Sequence, residues 1–182
     1  RLEGAVYNLG LEAGSLTGDC VGAIASYAVN PEAEIVNCFT DVNVTGSRAG
    51  GITDNFAGSV VNCVSAGALT GGENADAIAY NSSIMVENVY QLTGQKTSLL
   101  DRPSIQENRV SYEPPRYEYS YDYKVYINVD SPYFNELKLV KRLNATVREK
   151  NKANGESGAE EAITLVEWTK GTDGHPVLVP EN

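Results

Sequence analysis

Histidine is almost missing from this chain: His175 is the only one in 182 residues, so any mechanism that needs an imidazole must use it. It falls between Gly174 and Pro176 in a turn-forming stretch, far along the chain from the nearest cysteine, Cys63. Ser-His-Asp and Cys-His chemistry are therefore not expected. The three cysteines show neither CxxC nor a metal-ligand spacing, are too few for a disulfide-stapled scaffold, and leave the compartment unread. P-loop, GxGxxG, HExxH and EF-hand patterns are all missing, so no nucleotide, metal or other cofactor is expected. Basic residues are also scarce. Fourteen Lys and Arg against 24 Asp and Glu give a formal charge of -10, which repels phosphate backbones and anionic lipid, and no basic stripe overrides that average. Nucleic acid and membrane surfaces are not expected partners. No apolar run approaches the roughly 20 residues of a membrane span, and no signal-peptide pattern opens the chain, so any export signal or anchor is expected outside it.

Small residues are abundant instead. Seventeen glycines accompany only three phenylalanines and one methionine, a balance that suits tightly turned β coils better than helix bundles. A repeat supports this. Val6-Tyr7-Asn8-Leu9, Ile35-Val36-Asn37-Cys38, Val60-Val61-Asn62-Cys63 and Val86-Glu87-Asn88-Val89 share an apolar-x-Asn-apolar frame, with asparagines 29, 25 and 26 residues apart. A second frame follows each: Leu16-Thr17-Gly18, Val44-Thr45-Gly46, Leu69-Thr70-Gly71 and Leu92-Thr93-Gly94. A third, Ala23-Ile24, Gly51-Ile52 and Ala77-Ile78, completes the first three units. Three apolar anchors per unit, separated by Gly and Asn bends, fit a three-sided coil whose strands pair in parallel about 4.8 Å apart. Asn at the bend tolerates left-handed backbone angles and can bond its neighbours in the stack, and the Gly after Thr permits a turn that a Cβ would obstruct. Ile35, Val60 and Val86 are expected in one internal ladder, and Cys38, Cys63 and Val89 in another. The two cysteines are expected to be neighbours and reduced.

These frames resemble the GLUG-type repeat of bacterial surface and secreted proteins. The matching segments are Val6-Tyr7-Asn8-Leu9-Gly10-Leu11 with Gly14-Ser15-Leu16-Thr17-Gly18, Val21-Gly22-Ala23-Ile24-Ala25, Ile35-Val36-Asn37-Cys38-Phe39, Gly50-Gly51-Ile52 and Val61-Asn62-Cys63, over residues 4–94. Glu87-Asn88-Val89 departs from the usual Asn-Cys pattern and marks the last coil as irregular or as the end of the stack. The resemblance implies a repetitive module within a long cell-surface chain, as in adhesin-like proteins and non-catalytic regions of extracellular enzymes, and it carries no catalytic motif. In such relatives the coils continue upstream, so a chain opening on Arg1-Leu2-Glu3-Gly4 is read as part of something longer. The expected fold is mainly β: a right-handed parallel β-solenoid of three to four coils of roughly 25 residues over residues 1–94. A connector, tyrosine-rich strand, helix and β-hairpin then form a small α/β cap over residues 95–182.

Within that second half, residues 95–115 read as a connector ending in Pro114-Pro115. Tyr117, Tyr119, Tyr121, Tyr123, Val125, Ile127 and Val129 then alternate with more polar residues, the period of an extended strand. Ser131-Pro132 opens a helix whose apolar positions Tyr133, Leu137, Val140, Leu143 and Val147 recur through about Lys150. Residues 151–160 read as a polar loop, and Ile163–Trp168 and Pro176–Val179 as two strands around a Thr172-Asp173-Gly174 turn. Leu143-Asn144, Trp168 and Asp173-Gly174-His175-Pro176-Val177-Leu178 resemble the closing element that often follows such repeats. A cap is expected because a terminal coil would otherwise expose unpaired edges and an open apolar end.

Chemistry is thin. Glu12 and Asp41 each lie four residues after their asparagine, which stacks them on adjacent coils at about the carboxyl spacing of a retaining glycosidase. The next equivalent is Ala66, so no catalytic site is expected there, and no metal site either. Asn43-Val44-Thr45, Asn81-Ser82-Ser83 and Asn144-Ala145-Thr146 fit a glycosylation pattern that carries no weight in a bacterial chain. The only ligand-binding candidates are Tyr117, Tyr119, Tyr121 and Tyr123. On one strand face they either continue the Val125, Ile127 and Val129 packing surface or form an exposed platform for sugar rings or a protein partner. The leading expectation is a non-enzymatic structural or adhesive module, extracellular or on the cell surface. Its expected partners are other domains of the same longer chain and a glycan or host or partner surface protein. A carbohydrate-binding module of an extracellular enzyme and a fragment of a β-helical polysaccharide-degrading enzyme are the alternatives.

Overall fold

The structure of the protein, a computed structural model, describes residues 1–71, 75–76, 78–79, 85–92, 108–112, 119–123, 136–157, 162–172 and 175–179, and it is mainly β with one helix among them. Each asparagine frame supplies a short strand, and these strands stack in parallel. β1 (Ala5–Tyr7), β4 (Glu34–Val36), β7 (Ser59–Val61) and β11 (Met85–Glu87) form one ladder in which Val6, Ile35, Val60 and Val86 stand opposite one another. β2 (Gly10–Gly22) pairs along β5 (Phe39–Gly50), whose other edge takes β8 (Val64–Ser65), β9 (Leu69–Thr70) and β10 (Ala75–Asp76); β12 (Tyr90–Gln91) continues from β8. A third ladder joins β3 (Ala25–Ala28) to β6 (Thr53–Phe56) and, through a Thr53–Ala79 bridge, to the next unit.

The positive backbone angle that asparagine tolerates is used at every rung. Asn8, Asn37, Asn62 and Asn88 have φ of 56°, 56°, 54° and 53°, turning the chain out of the first ladder and into the second. Alternation across that turn sorts the apolar residues. Ile35, Val60, Val86, Cys38, Cys63 and Val89 point inward with Ile52, Phe56 and Ile78, all fully enclosed. Val36, Val61, Phe39, Val64 and Tyr90 point to the opposite face and form a second cluster with the C-terminal segment. Cys38 and Cys63 are free, and the Cys38 N–H meets the Cys63 Sγ at 3.3 Å. Burial pushes the Cys63 thiol up, so it packs as a small protonated hydrophobe.

The unequal repeat length has a local cause. Between Glu12 and Ser15 the β2–β5 register slips, with Ala13 at φ 60° and Gly14 at φ 136° absorbing one extra residue as a bulge. The remaining excess lies in the loop at Asn30, whose Oδ1 accepts the Glu32 N–H at 3.0 Å, whereas only Ala57 and Gly58 join β6 to β7. Two expectations change. The Leu-Thr-Gly frames sit inside the long strands β2 and β5 rather than at bends, and Gly46 is required by closeness, since a Cβ there would meet the Gly18 carbonyl oxygen at 2.6 Å. Leu92 is not a fourth member of that frame. Tyr90 and Gln91 pair with Val64 and Ser65, and the Leu92 N–H reaches the Ser65 carbonyl, so Leu92 falls level with Ala66, short of Leu69.

In the second half, α1 (Glu136–Ser157) runs seven residues beyond the expected end, through what the sequence suggested was a loop. It is not apolar enough to cross a membrane. β13 (Asn108–Tyr112), inside the expected connector, pairs antiparallel with β14 (Tyr119–Tyr123), which lies beside β11. β15 (Trp168–Lys170) pairs antiparallel with β16 (Pro176–Leu178). The described part of the expected closing element lies along the side of the stack, where Leu139, Leu143, Val147, Leu165 and Trp168 cover Val36, Phe39, Val61, Val64 and Tyr90.

Candidate functional site

The most highly organised polar region is where this C-terminal segment meets the asparagine turns. Each turn leaves a side-chain amide pointing along the stack. Asn37 Nδ2 donates to Asn8 Oδ1 at 2.8 Å, Asn62 Nδ2 to Asn37 Oδ1 at 2.7 Å and Asn88 Nδ2 to Asn62 Oδ1 at 2.5 Å. Asn37 and Asn62 are fully buried, so these amides must be paired to be tolerated.

A strap of extended backbone, residues 162–167, runs beside this ladder. Asn8 Nδ2 donates to the Thr164 carbonyl at 2.9 Å, the Val166 N–H donates to Asn8 Oδ1 at 3.1 Å, and Asn37 Nδ2 donates to the Val166 carbonyl at 2.9 Å. The Trp168 indole N–H closes on Asn37 Oδ1 at 2.5 Å. The other edge of the strap is held by α1. Asn151 both accepts from the Leu165 N–H and donates to the Leu165 carbonyl at 2.8 Å, Asn144 does the same for Trp168 at 2.7 and 2.9 Å, and Asn154 donates to the Ile163 carbonyl at 2.9 Å. Successive residues of an extended chain turn their N–H and C=O to opposite sides, so Thr164 and Val166 face the ladder and Leu165 faces the helix. Side-chain amides thus replace the strand neighbours that the strap lacks up to Val166, while the Glu167 carbonyl takes the Val179 N–H at 2.8 Å. That is why Ile163–Glu167, expected as a strand, is extended without belonging to a sheet.

The far rung ends differently. Asn88 Nδ2 also donates to Thr146 Oγ1 at 3.0 Å, and the Tyr90 hydroxyl donates to Asn88 Oδ1. Burial pushes the Tyr90 phenol up, which keeps that proton in place. At the first rungs the Tyr7 hydroxyl donates to Glu34 Oε2 at 2.6 Å, and this bond, with burial and the nearby charge, raises Tyr7 to about 12.

The sequence-derived candidates lie elsewhere. Tyr119, Tyr121 and Tyr123 fall on β14, but their side chains, and Tyr117 entirely, lie outside the described residues, as does the choice between packing and platform. Glu12 and Asp41 do stand opposite each other on β2 and β5, Glu12 exposed and Asp41 half-buried. Asp54 is buried and pairs with Arg48 at 2.9 Å, which raises the Arg48 guanidinium further. No group of three or more His, Cys, Asp or Glu among the described residues is placed to hold a metal ion. Sequence reasoning missed the strap. Its available signal was the spacing of Asn144, Asn151 and Asn154, which puts three amides on one side of a helix. Comparison with protein-family models, with curated proteins and with solved structures gives no match to this chain.

Proposed function

We propose that this chain is a non-catalytic structural or adhesive module of a larger bacterial extracellular or cell-surface protein. In this reading residues 1–94 form a right-handed β-solenoid of three to four coils, stiffened by α1 and the strap rather than capped by them. The observation that carries it is the asparagine ladder: one rung per unit, with amides committed to the next rung and to the strap instead of to a ligand. A stack bonded unit to unit in this way is a spacer that lengthens by adding coils. The resemblance of the frames to GLUG-type repeats supports the same reading and the bacterial surface setting.

The test is assay of the purified chain on pectin, xylan, glucan and host glycans, with no depolymerisation expected. Reproducible turnover abolished by Glu12→Gln or Asp41→Asn would overturn the proposal in favour of a polysaccharide-degrading fragment. Carbohydrate binding is the second reading, favoured by the extended backbone of Tyr119–Tyr123, which sets alternate tyrosines on one face. Retardation in affinity electrophoresis against soluble polysaccharides, lost in a folded Tyr119→Ala/Tyr121→Ala variant, would replace the spacer reading with that one.

A further inference from the structure

We propose that the Asn8 edge of the ladder is a docking face for one further parallel coil bearing an apolar-x-Asn-apolar frame, joined in cis ahead of Arg1. This rests on the solenoid reading above and adds where, and against which atoms, the stack continues.

The two edges of the ladder are unlike. At the far edge Val86, Val89 and Ile78 are completely buried, and Asn88 Oδ1 already accepts the Tyr90 hydroxyl. At the near edge the equivalent anchors Val6, Leu9 and Ile24 are only half-buried, and β2 offers a long, largely exposed outer edge that carries Leu16 at 38% exposure. Exposed strand edges of this length invite pairing.

The strap and helix reach past the first rung. Thr164 and Val166 show the rule: the carbonyl of each takes an asparagine amide, and the Val166 N–H gives to the Oδ1 of the rung before its own. Carried one step back, the Thr164 N–H and the Ala162 carbonyl address a rung preceding Asn8. Among the described residues no acceptor is present for the Thr164 N–H, and Ala162, Ile163 and Thr164 are all exposed. Asn154 on α1 still holds the Ile163 carbonyl at 2.9 Å, so the strap is kept in line where no ladder rung lies beneath it. An incoming asparagine would donate to Ala162 O and accept from Thr164 N–H and Asn8 Nδ2, as Asn8 now does with Thr164, Val166 and Asn37.

The source is fixed by two contacts. The Ala28 carbonyl accepts from the N–H of Ala57, the residue that follows β6, so the Tyr27 carbonyl faces outward, and it accepts the Leu2 N–H at 2.8 Å. The chain running back from Leu2 is thereby led along the open edge of β3. A second copy fits poorly, because the apolar anchors of its far edge, Val86, Val89 and Ile78, are already completely buried.

Amide hydrogen exchange on the chain as it stands tests whether the Thr164 N–H is open to solvent: Thr164 should exchange at least about tenfold faster than Val166. Fusing a copy of residues 33–56 ahead of Arg1 should then slow Thr164 about tenfold, and Asn37→Ala within the copy should restore the fast rate. Equal protection of Thr164 and Val166 in the unfused chain, or a folded fusion that leaves Thr164 unchanged, overturns the docking face while the ladder stands. Unprotected Val60 and Val166 amides would instead remove the solenoid reading itself. Protection of Thr164 that rises with protein concentration, with a dimer in sedimentation, would make a second copy the occupant and also overturn the proposal.

Discussion

The stacked strands between Ala5 and Gln91 and the strap at residues 162–167 satisfy their backbones by different means. In the first region N–H and C=O groups meet their counterparts one unit away, so the same pairing recurs at each frame. In the second, the strap from Ile163 to Val166 draws its bonds from asparagine side chains on both flanks, Asn8 and Asn37 on one and Asn151 and Asn154 on the other, and only at Glu167 does a backbone N–H, that of Val179, take over. The same amide chemistry is used, but only the first region repeats it. A backbone ladder distributes its stability over many equivalent bonds, whereas the strap depends on a few particular residues.

Substitutions should therefore act differently in the two regions. The largest effect is expected inside the ladder. Ile52, completely enclosed, should cost about 2–5 kcal/mol when cut to alanine, measured by denaturant unfolding. A cost under about 1 kcal/mol would mean the ladder does not enclose it. On the strap side, Asn151→Ala removes both bonds to Leu165 and should cost about 1–3 kcal/mol, because Leu165 is buried and its N–H and C=O lose their partners. Exchange of the Leu165 amide should quicken while Val60 stays protected; equal loss at both positions would mean that strap and ladder are not separable as described. The smallest effect concerns Tyr7. A phenol raised from 10.0 to about 12 on folding adds stability that is fully present below pH 10 and lost as the pH rises through about 12. Tyr7→Phe should therefore match the parent more closely at high pH than at neutral pH, and a constant gap across that window would argue against the Glu34 bond.

The ladder was legible because every rung repeats its apolar anchor and its asparagine, and asparagine is one of the few residues at home at a φ near 55°. Local slips were not. The bulge at Ala13-Gly14 shows up only as a longer spacing, and Leu92 shares the Leu-Thr-Gly letters without the register. The end of α1 was misplaced because Asn151, Asn154 and Gly155 are common in loops, yet Asn151 and Asn154 are held in the helix by their bonds to the strap. β13 was missed because Asn108-Arg109-Val110-Ser111-Tyr112 carries little apolar periodicity of its own and, among the described residues, pairs with β14 alone. Side placement of the C-terminal element could not be read either, since the face it covers is marked by Val36, Val61 and Val64, valines no different in letter from those of the interior.

The account turns on the asparagine rungs joining the two regions, and the bond between the Trp168 indole and Asn37 is the most direct place to measure it. Asn37→Gly removes the amide without straining a residue at φ 56°, and Trp168→Phe removes the indole N–H while keeping most of the ring. In a double-mutant cycle of unfolding free energies the two should couple by about 0.5–3 kcal/mol, with the double variant losing less than the two singles together. Additive losses, each single variant costing the same whether or not the other is present, would mean that ladder and strap lie side by side without being joined.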